Sequence, residues 1–145
     1  MSYNSKCKKN INFLIIIIMS HFTKIKTKLF DLDLLKRSLK DLTIDWSEES
    51  KLVQGYKGKT YSSELVIKQD NNYDIGFHWN GKEYELVTDL MFWNQKYSVN
   101  KFLNQLNQRY AYNAILQSCE LEGFTFTENK VSDNGSIRLV AKKFA

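Results

Sequence analysis

The stretch YDIGFHWNGKEYELVT, Tyr73 to Thr88, decides how the chain is read. Two alternating runs flank Asn80-Gly81. That dipeptide favours a tight turn with positive φ at both central residues and is the strongest short signal for a β-hairpin. A two-residue loop sets Trp79 opposite Lys82, Phe77 opposite Tyr84 and Ile75 opposite Leu86 on one face, and His78 opposite Glu83 on the other. The first face is apolar and aromatic. The second, with Asp74, Gly76 and Glu85 nearby, is acidic and polar. Such a hairpin needs cover on one side and tolerates water on the other.

The cover is written on either side of it. Upstream, Thr23, Ile25, Thr27 and Leu29 alternate with Phe22, Lys24, Lys26 and Lys28, a strand with a basic outer face. Asp31 then stands as an N-cap before Leu32, Leu35, Leu39 and Leu42, one stripe of a helix. Asp33, Arg37 and Asp41 form an i, i+4 rail that reads as a solvated face. A polar connection, Thr43 to Ser50, leads to a short strand at Lys51 to Gln54, a turn at Gly55 to Lys59, and a strand from Tyr61 to Lys68. Downstream, Leu90 to Trp93 is either a short helix or a packed connection. Ser98 caps a longer helix with Val99, Phe102, Leu103, Leu106, Tyr110 and Ala114 on one stripe and Asn104, Gln105, Asn107 and Gln108 opposite. A last hairpin turns at Asp133-Asn134-Gly135. The expected fold is α+β: a mainly antiparallel sheet of five to seven strands with two helices packed on one face.

The 145 residues suffice for one domain with a core of its own. The formal charge of +5 divides unevenly: Lys6, Lys8 and Lys9 give Met1 to Ile18 three positive charges and no acid. The remainder holds 18 basic and 16 acidic residues, too nearly balanced to attract a polyanion by net charge. The first 18 residues run from a polar basic stretch into Phe13 to Ile18, an apolar core too short for a signal peptide and without a cleavage pattern. They are expected to be an extension outside the fold, with Met19 the start of a single domain spanning residues 19–145. Lys, Asn, Ile, Phe and Tyr make up 59 of 145 residues and Pro is absent, the signature of an A/T-rich genome.

Recognisable chemistry is sparse. The only cysteines are Cys7 and Cys119, which excludes a disulfide within residues 19–145; Cys119 reads as a half-buried thiol near a helix end. No His/Cys/Asp/Glu set has metal-ligand spacing, and no phosphate-loop, dinucleotide or nucleophile-elbow pattern occurs. The Gly55–Lys59 loop lacks the full phosphate-cradle run and opens into a strand. His78 and Glu83 read as a cross-strand ion pair on a wet face. Tyr73, Phe77, Trp79 and Tyr84 read as core, although aromatics on a sheet also serve single-stranded RNA readers.

Four motifs carry a resemblance: Met19-Ser20-His21-Phe22 with the Asp31-Leu32-Asp33-Leu34-Leu35-Lys36 helix start, Gly55-Tyr56-Lys57-Gly58, Tyr73-Asp74-Ile75-Gly76-Phe77, and Gln108-Arg109-Tyr110-Ala111-Tyr112. In these the chain resembles the hypothetical chloroplast reading frame thirty-five family of red algae and related lineages, from Met19 to about Lys143. The resemblance implies a single small domain in the chloroplast stroma and carries no catalytic residue with it. The expected function is therefore a non-enzymatic interaction or assembly module with a protein partner in the plastid, no cofactor and no membrane span. An RNA-binding module using the sheet aromatics or the basic first strand is the alternative, and an enzyme of unrecognised class comes third. The candidate contact residues are Tyr56, Lys57 and Lys59 in the loop, His78 and Glu83 on the polar hairpin face, and Gln105 and Gln108 on the amide-rich helix face.

Overall fold

A computed structural model describes residues 22–49 and 51–143. The expected start site at Met19 and the segment before it lie outside the described residues. In chain order the elements are β1 (Thr23–Leu29), α1 (Leu32–Asp41), β2 (Leu52–Gln54), β3 (Thr60–Ser62), β4 (Leu65–Ile67), β5 (Ile75–Trp79), β6 (Tyr84–Thr88), α2 (Val99–Leu121), β7 (Phe124–Val131) and β8 (Ile137–Lys143), with short 3-10 turns at Tyr56–Gly58 and Leu90–Phe92.

The architecture is α+β and antiparallel throughout, with both helices on one face of the main sheet. The strands divide into a four-stranded sheet in the order β1-β6-β5-β4 and two separate ribbons, β2-β3 and β7-β8. The strand expected from Tyr61 to Lys68 is cut in two. Ser63 N donates to Lys51 O and Glu64 N to Phe77 O, so the chain passes from the small ribbon into the main sheet between Ser62 and Leu65.

The central hairpin keeps its faces and changes its register. Trp79 stands opposite Tyr84, Phe77 opposite Leu86 and His78 opposite Glu85, two residues away from the expected pairing. Asn80 is responsible: its Oδ1 accepts from Lys82 N and Glu83 N, and its own N donates to Glu83 O. Asn80 thus flanks the turn, whose central residues are Gly81 and Lys82. Only Gly81 has positive φ, 99°, as a turn with Gly at its first central position requires. A shift of two preserves side-chain parity, so the apolar face stays apolar.

That face is the centre of the core. Ile75, Phe77 and Leu86 are fully buried against Leu35 and Leu39 of α1 and Phe102, Leu103, Leu106 and Tyr110 of α2. Both helices begin as their sequences direct. Asp31 accepts from Leu34 N and Ser98 from Lys101 N, each satisfying a donor that has no partner within the helix. Tyr110 Oη accepts from Asp31 N at 3.0 Å and ties the second helix to the start of the first.

The expected wet face of the hairpin is a correction. The β2-β3 ribbon lies over it and buries Val53, Val66 and Val87 completely. Gly76 makes this possible, because a Cβ there would overlap Val53 Cγ2 and Ser63 Oγ. Asp74, 2% exposed, accepts from Gln54 N at 2.8 Å and pins β2 to the start of β5. Tyr73 leaves the hairpin altogether and stacks on Phe92 with ring centroids 3.9 Å apart. The first strand forms a sheet edge blunted by Lys24 and Lys26 and by a bulge at Lys28, where φ is 61°.

Urea unfolding of the full chain tests this layering. Phe77→Ala is expected to cost about 3–5 kcal/mol, the usual loss for a buried Phe. Gly76→Ala is expected to cost about 1–3 kcal/mol by overpacking against the ribbon. His78→Gln should cost under about 1 kcal/mol, because the side chain is only half-buried and its Nδ1 lies 3.8 Å from the partly exposed Glu64 carboxylate, beyond hydrogen-bond distance.

Candidate functional site

The seven candidate residues fall in three separate places. Tyr56, Lys57 and Lys59 sit in the loop between β2 and β3. There the Tyr56 ring stacks on Phe92 at 5.6 Å, and the Lys57 ammonium lies 5.4 Å over the Tyr56 ring. Lys57 has φ 54° and Gly58 φ 72°, so the loop closes through two successive left-handed residues, and Lys59 N donates to Tyr56 O. This is a self-contained aromatic slat of Tyr56, Phe92 and Tyr73.

His78 and Glu83 are not a pair. His78 Nδ1 lies 3.8 Å from Glu64 Oε2, which also accepts from Trp79 N at 2.7 Å. The His78 ring meets the edge of Tyr61 at 5.2 Å. Glu83 belongs to the turn through its main chain.

Gln105 and Gln108 are brought together. They line a cleft of about 510 Å³ with Leu42, Ile44, Phe102, Ile137 and the Gln95-Lys96-Tyr97 segment. Four pieces of chain build it: the end of α1, the approach to α2, the α2 face itself, and β8. Gln108 Nε2 donates to Gly135 O, fastening the tip of the β7-β8 ribbon to the helix. Gln69, buried in a loop, accepts from Gln95 Nε2 at 3.0 Å and Asn94 N at 2.8 Å and so positions the approach segment. Among the described residues that line the cleft there is no carboxylate, imidazole or thiol. Its polar character comes from amides, Lys96, Tyr97 and Arg109.

One wall of the cleft rests on a polar joint that the sequence did not disclose. Asp41, read as part of a solvated rail, accepts from Arg109 Nε and Asn113 Nδ2, both at 2.9 Å. Asn113, 1% exposed, also donates to Ser38 Oγ at 3.1 Å, and the Arg109 guanidinium lies 4.4 Å over Tyr112. The available signal was Asn113's place on the stripe of Leu106 and Tyr110, where a polar side chain needs a partner. Partial burial pushes the Asp41 carboxyl up, but hydrogen bonds from Asn113 and Arg109 and the charges of Arg109 and Arg37 outweigh it and hold it below the ordinary value.

A folded-state value below the unfolded one contributes stability above about pH 4, lost as acid takes the pH down through the folded value. The difference in urea midpoint between the natural chain and Asp41→Asn should therefore shrink as the pH falls from about 6 to about 3. A difference that stays constant would remove the charged joint from the account.

Among the described residues no group of three or more His, Cys, Asp and Glu is placed to hold a metal ion, and no helix is long and apolar enough to cross a membrane. Residues 38–140 match the family described as "Protein of unknown function (DUF1257)". The chain is 54% identical over 126 residues to "Uncharacterized protein ycf35" of Guillardia theta, covering 87% of this chain and 98% of that protein. Proteins of the same description from Pyropia yezoensis and Cyanophora paradoxa are 40% and 39% identical over the same shares. No solved structure matches. With relatives that are hypothetical chloroplast reading frames of algal plastid genomes, the chain is a plastid protein and belongs to the DUF1257 family.

Proposed function

We propose that the chain is a non-enzymatic interaction module of the plastid stroma and that the cleft beside α2 is where it holds a partner protein. The observation that carries this reading is the lining of the cleft. It is an open hollow of about 510 Å³ in which Leu42, Ile44, Phe102 and Ile137 offer apolar surface beside the amides of Gln95, Gln105 and Gln108, so that a partner's apolar side chain and main chain can both be accommodated. Among the described residues that line it, no acid and base are paired as proton-transfer catalysis uses them. Amide side chains suit the work, since each offers donors and an acceptor to a partner's main chain.

The RNA-binding alternative is weaker on the same geometry. Phe77 is fully buried and Tyr84 is 7% exposed, so the sheet aromatics face helices rather than bases. On the basic first strand, the Lys24 ammonium already sits 4.5 Å over the Tyr61 ring, and Lys26 stands opposite Glu85.

A photo-crosslinking residue placed at Gln105 of the full chain tests the proposal in plastid extract. The expected result is protein adducts that survive nuclease and are absent when the same probe replaces Lys82 at the hairpin turn. Nuclease-sensitive adducts, or equal capture from both positions, would overturn it.

A further inference from the structure

The cleft continues along the helix. A second hollow of about 220 Å³ shares Gln108 and Ile137 with it and is otherwise lined by Ala111, Tyr112, Ile115 and Leu139. Together they form one groove between α2 and β8. From Lys101 to Ile115 the helix advances about 21 Å at its usual rise, the length of about six residues of extended chain.

The two ends differ in chemistry. At one end Lys96 and Tyr97 line the groove, and the ammoniums of Lys96 and of Lys101, which stands beside the lining, lie 5.4 Å and 4.4 Å over the Tyr97 ring. Among the described residues neither has a carboxylate within ion-pair distance. Lys101 stands in the first turn of α2, which holds no acid, where a cation opposes the helix dipole. Helix stability does not explain its presence. The adjacent Arg109 differs, since Asp41 neutralises it. The other end is apolar, with Ile115 49% exposed on the helix and Leu139 half-buried across from it. Between the ends, the half-buried Gln105 amide makes no hydrogen bond to any described residue.

We infer that this groove takes an extended polypeptide segment with carboxylates at one end, seated between Lys96 and Lys101, and an apolar anchor at the other, seated against Ile115 and Leu139. The inference rests on the proposed interaction module and supplies its partner's chemistry. Unpaired cations at one end select acidic side chains by charge complementarity, and charge at a rim sets encounter and register. Gln105 pairs with the segment's main chain. The lining rings favour a polypeptide over a nucleic acid, because Tyr97 and Tyr112 already carry cations over their faces instead of presenting them for base stacking.

Selection of short random peptides displayed on phage against the full chain, followed by fluorescence anisotropy of a selected peptide, tests this. The expected peptides carry Asp or Glu at one end and Leu, Ile or Phe at the other. Lys101→Glu should weaken binding by about tenfold or more, while the acid suits the helix start and leaves the fold intact. Ile115→Ser should weaken it as well, and Lys26→Glu on the remote sheet edge should not. Basic or featureless peptides, no selected peptide at all, or indifference to Lys101→Glu would overturn the inference. A short oligouridine that displaces the peptide and is itself sensitive to Lys101→Glu would also overturn it, by giving the cationic end to RNA. In each of these cases nuclease-resistant capture from Gln105 would still uphold the interaction module; loss of that capture too would remove the site.

Discussion

A four-stranded sheet that buries apolar side chains on both of its faces has to be covered twice, and the whole structure follows from how that is done. On one side Phe77, Ile75 and Leu86 lie beneath two helices. On the other, Val66 and Val87 need an apolar lid, and the chain makes one from the short β2-β3 ribbon. The missing side chain of Gly76 sets how near that lid comes. Burial at roughly 25 cal/mol per Å² of apolar surface rewards both layers. The ribbon has only three residues per strand and holds its place through Asp74 and the Val53 contact rather than through its own ladder.

Much of this was legible in residue order, and the limits have physical causes. The N-caps Asp31 and Ser98, the two helical stripes and the apolar parity of the hairpin are local properties, and each appears where its sequence put it. Register was not legible because Asn80-Gly81 supports two turns one position apart, and the choice depends on the Asn80 side chain accepting two main-chain donors. The polar face of the hairpin was misread because only tertiary packing reveals that a ribbon starting twenty residues upstream comes to lie on it. His78 accordingly meets Glu64, from β4's side of the sheet, instead of Glu83.

The site shows the same division. Gln105 and Gln108 belong to an amide-rich helix face legible in the sequence, and these two of its four residues line the cleft. Its other walls come from positions around 42, 96 and 137, which no local pattern connects. The Asp41–Arg109–Asn113 joint was hidden for the same reason: Asp41 looks solvent-facing on its own helix, and the partners of Asn113, on the core stripe of the other, emerge only when the two helices are set side by side. In the loop distinctive in sequence, Tyr56 stacks on Phe92, Lys57 lies over the Tyr56 ring, and Lys59 joins them through its main-chain N–H to Tyr56 O.

The β7-β8 ribbon leaves a consequence of its own. It touches the rest of the fold mainly along α2, and no described side chain in it is fully buried. Two-stranded hairpins are marginal when unsupported, so this ribbon opens at a lower free energy than the core beneath it. One wall of the groove is therefore present only while the ribbon is docked, and any occupant's apparent affinity is scaled by that docked fraction. An occupant that spans Gln105 and Leu139 closes the ribbon as it binds. It would slow amide exchange along residues 124–143 while leaving the hairpin around Phe77, buried beneath both helices, unchanged. Occupancy of the groove would thus have a kinetic signature along the whole ribbon, beyond the residues that line the groove.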